Sequence, residues 1–265
     1  MFKFVRNKKF ANGVVYALQT EDGYPIEVTD TFLPHYTKDA IGQKQNALKD
    51  GNLGSRKERW MVGVSVMSGC PVGCKFCATA KLKRCRNLTW QEIVEQVKFI
   101  LFKNYNLCNC SDSKEFKINY TRMGEPFLNL ENVRMAIREI DRMLPNTKVH
   151  HYISTIGIEG ADFSWIKDNI TLQFSVHSFD EEYRDWLIPF KKKMLLKDIG
   201  QVRTESSLKT TLNLTLARPE DFKIKKLKEY FDPEHFFIKI SPINENDVSK
   251  ANNMGTGVIA QRNLV

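Results

Sequence analysis

The chain has 265 residues, 42% hydrophobic and 27% charged, enough to bury a sizeable core and too apolar for global disorder. Forty Lys and Arg against 31 Asp and Glu leave a net charge of +9, which favours a polyanionic or phosphate-bearing partner. Apolar runs of only strand length exclude a membrane span, the basic start has no apolar run behind it, and six cysteines are too few for a disulfide scaffold. A cytoplasmic protein with reduced thiols is expected.

In chain order, residues 13–20 and 24–29 read as a hairpin around Glu21-Asp22-Gly23. The polar stretch 34–58 reads as a connection with one short helix, which sets an N-terminal extension (1–58) apart from the main domain (59–265). Strand patterns then recur at 60–68, 116–121, 148–155, 170–177, 208–216 and 236–241. Helical patterns lie between them. Thr89-x-x-Glu92 is a capping-box signature ahead of Ile93, Val94, Val97 and Ile100. Residues 130–143, 162–168, 180–187 with 192–203, and 219–231 supply the rest. Six strands separated by helices predict an α/β fold with a parallel sheet, open or curled into a barrel.

Alternation within the strands sharpens this. Gln173, Ser175 and His177 share one parity, as do Asn213 and Thr215, Lys239 and Ser241, and His150, Tyr152 and Ser154. Buried parallel strands normally read as continuous apolar runs. A polar face of this kind predicts either a splayed partial barrel around a polar ligand or a two-layer sheet with one solvated face.

Cys70-Pro-Val-Gly-Cys74-Lys-Phe-Cys77 follows the first of these strands. Three thiolates on one tight loop suit a 4Fe–4S cube with its fourth iron open. Zinc would need a fourth ligand, for which Cys85 is the candidate, and buried idle thiols are the remaining reading. Cys108 and Cys110 fall short of a second cluster and read as reduced thiols.

This spacing, with Phe76 before the third cysteine, resembles the radical SAM superfamily. The resemblance implies a partial (β/α)6 TIM-like barrel with a small N-terminal β extension. It also implies a 4Fe–4S cluster on Cys70, Cys74 and Cys77, and S-adenosylmethionine (SAM) cleaved by one electron to a 5′-deoxyadenosyl radical. Further matches resemble the RlmN/Cfr-type RNA adenine methyltransferases: Cys77-Ala-Thr-Ala, Arg86-Asn-Leu-Thr, Met123-Gly-Glu-Pro-Phe-Leu-Asn129, Ile153-Ser-Thr-Ile-Gly157, Ser175-Val-His177, Tyr183-Arg-Asp-x-Leu-Ile-Pro189 and Pro242-Ile-Asn244. By that resemblance Gly124 and Glu125 meet the methionine amino group. Phe76, Ser154, Ser175, His177 and Asn244 complete the cofactor site.

The chain also departs from that pattern. Gly63 stands where the branch has a cysteine, no cysteine follows Cys110 to carry a methyl group, and Arg122 replaces a glycine. Without that thiol the branch's methyl transfer is not expected to proceed. The sequence is then similar to queuine lyase. It is expected to cleave the cyclopentenediol from a deazapurine base held by Arg122, Tyr152, Gln173, Asn213 and Lys239. RNA modification is the alternative. The basic stretch from Lys81 to Arg86 and Lys191-Lys-Lys193 both read as solvated charged faces, with phosphate contact as the other reading; the Lys81 to Arg86 stretch alternatively favours docking of an acidic electron donor such as flavodoxin or ferredoxin.

Overall fold

The computed structural model describes residues 2–35 and 51–255, arranged in two compact units. Most of the 34–58 stretch, for which a connection with one short helix is expected, lies at 36–50, outside the described residues.

The first unit draws on Met1–Ser68, Asn87–Met123 and Asn129–Tyr152. Its strands are β1 (Lys3–Phe10), β2 (Gly13–Gln19), β3 (Pro25–Leu33), β4 (Arg59–Val64), β5 (Glu115–Tyr120) and the start of β6 (Val149–Thr155), in that order across the sheet. β1 to β4 pair antiparallel, and β4 to β5 parallel, with Val62 opposite Ile118. The expected hairpin is present as β2–β3, with Gln19 opposite Pro25. β1 is an additional strand, exposed along all eight residues.

Helices α1 (Trp90–Lys103) and α2 (Leu130–Met143) bury Ile93, Val94, Val97 and Ile100, and Val133, Ala136, Ile137 and Ile140. The capping box forms: Thr89 Oγ1 accepts from Glu92 N–H (3.2 Å), and Glu92 Oε2 accepts from Thr89 N–H (2.9 Å). Such a cap stabilises a helix by about 1 kcal/mol.

Two buried polar groups stitch this unit together. The Asp30 carboxylate on β3 accepts from Arg56 Nη2 (2.6 Å), Trp60 Nε1 (2.8 Å) and Asn104 Nδ2 (3.0 Å), and so joins β3, β4 and the end of α1. His151 bonds Tyr120 Oη (3.0 Å) and Asp141 Oδ1 (2.9 Å). The helix-covered face of β6 is therefore partly polar, with each polar group partnered.

The second unit draws on Gly69–Arg86, Gly124–Leu128 and Ile153–Val265. Its strand order is the end of β6, then β7 (Ile170–Ser175), β8 (Thr210–Thr215) and β9 (Phe236–Ser241), with β8 parallel to both neighbours. β8 is buried throughout. Helices α3 (Glu181–Leu187), α4 (Leu196–Gly200), α5 (Ile224–Tyr230) and α6 (Asp247–Ala251) complete it.

Helix patterns fail here where side chains or pairing compete for the backbone. Residues 162–168 form no helix, because Asp162 Oδ1 accepts from the Ser164 N–H (2.8 Å) and hydroxyl (2.7 Å), an Asx turn. The 192–203 segment shortens to α4 because Met194 N–H bonds Gly157 O (3.0 Å) and Lys193 bridges Ile158 as a strand does. Lys193 is also buried and paired with Asp185, so only Lys191 and Lys192 of the lysine triplet are exposed. No helix among the described residues is long and apolar enough to cross a membrane.

Candidate active site

The cysteine loop lies wholly in the second unit and turns on two glycines in left-handed backbone, Gly69 (φ +71°) and Gly73 (φ +72°). Cys77 N–H donates to Cys74 O (3.1 Å), which closes the loop on itself. Three surrounding segments hold it from outside. Lys75 N–H donates to Leu187 O at the end of α3 (2.9 Å), Asn252 Nδ2 to Lys75 O (2.9 Å), and Asn246 Nδ2 to Phe76 O (2.9 Å). Asn246 also caps α6 in a capping box with Ser249. The Phe76 ring meets His177 edge-on, with centroids 4.8 Å apart.

Burial pushes the Cys70 thiol up to about 12, against a Val72 backbone hydrogen bond that lowers it, with Glu125 and Cys77 adding to the rise. Cys74 is raised well above the usual thiol range, by burial and then by Cys77 and Cys70. These sulfurs lie in one another's field, and ionising them together requires positive charge between them. Iron supplies that charge, since a coordinating thiol loses its proton outright. Among the described residues no three His, Cys, Asp or Glu side chains converge on one point as ligands of a single ion do. A cube that takes each thiolate on a different iron asks for no such point. The residues fit a cluster.

Glu125 follows Gly124, itself at φ +104°, and is buried. Its Oε1 accepts from Thr155 Oγ1 (2.5 Å) and Phe127 N–H (3.1 Å), and its Oε2 from Ile156 N–H (3.0 Å). Burial outweighs these three donors and lifts the carboxyl to about 7. Ser154 shares a hydrogen bond with Ser175 (3.1 Å) and accepts from Gln173 Nε2 (2.7 Å), while Lys239 Nζ donates to Gln173 Oε1 (3.4 Å). Asn213 accepts from Ser241 Oγ (2.9 Å).

His177 is held at φ +63°, left-handed backbone that is uncommon for a residue other than glycine. Its Nδ1 accepts from Thr215 N–H (3.1 Å), which leaves the proton on Nε2. Burial, and then the charge of Arg184, push its pKa down to about 3, so the ring is neutral at ordinary pH.

Asn244 is exposed. Arg122 and Tyr152 are counted with the first unit and the other predicted site residues with the second. There Arg122 pairs with Glu27 (Nε to Oε1, 2.8 Å). A Cβ on Gly63 would overlap Thr29 Oγ1 and lie 3.0 Å from Arg122 Cδ, so these two side chains fill the space a cysteine would need. Gly63→Cys is expected to cost about 1–3 kcal/mol by overpacking. Denaturant unfolding measures it, and adding Thr29→Ala should restore part of the loss. Equal stability of Gly63→Cys and wild type would show that the space is open.

Sequence reasoning missed Thr155, Asn246, Asn252 and Arg184. Asn246 and Asn252 hold backbone carbonyls of the cysteine loop and Thr155 holds the Glu125 carboxylate, partners that are distant in sequence and leave no local signal.

The Radical SAM superfamily description matches residues 64–214. The chain belongs to the radical SAM superfamily. Membership implies a 4Fe–4S cluster and SAM as cofactors. It is 34% identical over 194 residues (72% of this chain, 51% of the relative) to a dual-specificity RNA methyltransferase RlmN of Nitratiruptor sp.. It is 35% identical over 182 residues (67% and 46%) to that of Wolinella succinogenes. Identity is 31% over 248 residues (92% and 62%) with a probable one of Dictyoglomus thermophilum. The chain thus spans about half the length of the curated relatives it matches, and it falls in their RlmN-like branch. A radical SAM methyltransferase structure from Sphaerobacter thermophilus shares the fold, with TM-score 0.62 and 20% identity over 92% of this chain and 67% of that one.

These relatives overturn the queuine lyase expectation, since they are named RNA methyltransferases. The physical error lay in reading the polar face as a demand for a polyhydroxylated base. Gln173, Lys239 and Ser154 satisfy one another, as do Asn213 and Ser241, so their polarity implies no such ligand.

Proposed function

We propose that the chain modifies RNA, using reductive cleavage of SAM to activate a base. The observation that carries this reading is the run of relatives named dual-specificity RNA methyltransferases. When bound on Cys70, Cys74 and Cys77, the cluster supplies the electron that cleaves SAM. Glu125 offers a buried carboxylate for the methionine amino group, and neutral His177 offers a donating Nε2–H.

The first unit adds support. Every residue of β1 is exposed, and the strand presents Lys3, Arg6, Lys8 and Lys9 interleaved with Phe4 and Phe10. Edge strands carry lysine to discourage pairing with other chains, but exposed phenylalanines work against that purpose. Cations alternating with aromatic rings suit a nucleic-acid strand, by phosphate contact and base stacking.

Removing those four charges (Lys3→Gln, Arg6→Gln, Lys8→Gln, Lys9→Gln) is expected to flatten the slope of log affinity against log salt by about 3 for single-stranded RNA, from roughly 0.7 per phosphate contact. Fluorescence anisotropy across a salt series reads it. In the same preparation, formation of 5′-deoxyadenosine under anaerobic reduction should rise with RNA. Absence of RNA binding by the wild type, together with cleavage indifferent to RNA, would overturn the reading.

A further inference from the structure

Arg184 is fully buried on α3. Its Nη1 donates to Met194 O (2.7 Å) and Nη2 to Ile156 O (3.1 Å), both neutral carbonyls. The one carboxylate within hydrogen-bond reach among the described residues is Glu181, at 3.4 Å from Nη1. Glu181 is 38% exposed, and its other oxygen is committed to Leu196 N–H (2.6 Å). Arg184 Nε has no hydrogen-bond partner among the described residues. A guanidinium this deep with so little countercharge is costly, and the cost calls for a reason.

The surroundings supply one. α3 ends against the cysteine loop: Leu187 O accepts from Lys75 N–H (2.9 Å), and a Cβ on Gly73 would meet Pro189 Cγ at 3.9 Å. These contacts flank Cys74, whose sulfur acts on Arg184 after the carboxylates of Glu181 and Asp185, neither of which is buried with it. Through Ile156 the same guanidinium also backs Glu125: Ile156 O takes the Nη2 bond, and Ile156 N–H holds Glu125 Oε2.

The geometry points to Arg184 as the buried countercharge of the iron–sulfur cluster, a positioning residue that stabilises the electron the cluster receives and raises its reduction potential. The step is a one-electron transfer from an external donor, which is oxidised as the cluster is reduced, with no bond made or broken. Net charge and burial around a cluster are established determinants of its potential. The inference rests on the cluster assignment and not on the RNA substrate.

Potentiometric titration of the loaded enzyme, followed by electron paramagnetic resonance of the reduced cluster, tests it. With Arg184→Gln, the reduced-to-oxidised ratio at the wild-type midpoint is expected to fall at least tenfold, a shift of about 59 mV for a one-electron couple. Arg184→Lys, which keeps the charge, should recover most of the wild-type potential. Glu181→Gln keeps an acceptor for Leu196 N–H but removes the opposing charge, so its potential should move upward. Should Arg184→Gln fail to load iron, the Glu181→Gln shift decides alone. Full iron content with unchanged potentials in these variants overturns the proposal while leaving the cluster standing. Absence of iron from the wild type overturns the cluster assignment and this inference with it.

Discussion

Cys74→Ala is expected to abolish uptake of a stable 4Fe–4S cluster and, with it, reductive cleavage of SAM. Cys74 lies in the middle of the loop, between Gly73 in left-handed backbone and Lys75, whose amide and carbonyl are both held by other segments. Its sulfur is placed by backbone that cannot readily adjust, so a neighbouring thiol has no route to replace it. Cys70→Ala and Cys77→Ala should behave alike, because three protein ligands leave none to spare once SAM takes the fourth iron. Removing any of the other three cysteines should leave iron content intact. Cys85 is exposed, Cys108 donates to Asn109 O (3.3 Å), and Cys110 is buried 3.5 Å from Thr147 Oγ1. Iron and sulfide content of anaerobically loaded protein, with 5′-deoxyadenosine yield, measures both halves. A Cys74→Ala protein with full iron and full cleavage would remove the foundation of the site.

The cysteine loop was readable because cluster chemistry writes its ligands into eight consecutive residues. The six later strands were readable for a different reason: polar and apolar letters alternate from Gln173 to His177 and from Thr211 to Thr215, although β8 is buried on both faces and its polar side is covered by the fold. β1 left no such trace. Both of its faces meet solvent, so its pattern carries no apolar parity, and it becomes a strand only by pairing with β2. Helix α6 is equally silent, since of its five residues only Ser249 is buried. Its presence depends on the Asn246 cap, the same side chain that holds Phe76 O. Arg184 stands within the Tyr183–Pro189 match, but nothing in those letters marks it as buried. Its burial comes from carbonyls ten and twenty-eight positions away, at Met194 and Ile156, which only the fold brings to it. The substrate inference failed for a related reason, because polar letters do not reveal whether their partners are ligands or one another.

Glu125→Gln is expected to weaken SAM binding by roughly 10- to 100-fold, the worth of a charge-assisted hydrogen bond of about 1.5–3 kcal/mol. In the wild type the affinity should also depend on pH. Burial raises the carboxyl from its ordinary 4.5 to about 7, so near neutrality much of it is protonated before SAM arrives. The ionised carboxylate is the stronger acceptor for the amino N–H, and affinity should therefore rise with pH through about 7. Stability runs the other way. Because the folded chain binds this proton more tightly than the unfolded one, the stabilisation is fully present below about 4.5 and is lost as pH climbs through about 7. The amount at stake is roughly 3 kcal/mol, at 1.36 kcal/mol per pKa unit. Glu125→Gln cannot ionise and should flatten both dependences. It pays a fixed penalty instead, since its amide must turn a donor toward either Ile156 N–H or Phe127 N–H. Calorimetric titration of SAM between pH 6 and about 8, run beside urea unfolding of unloaded protein over the same range, separates the two effects. A variant that matches wild-type affinity and keeps the wild-type pH profile would place the methionine amino group elsewhere.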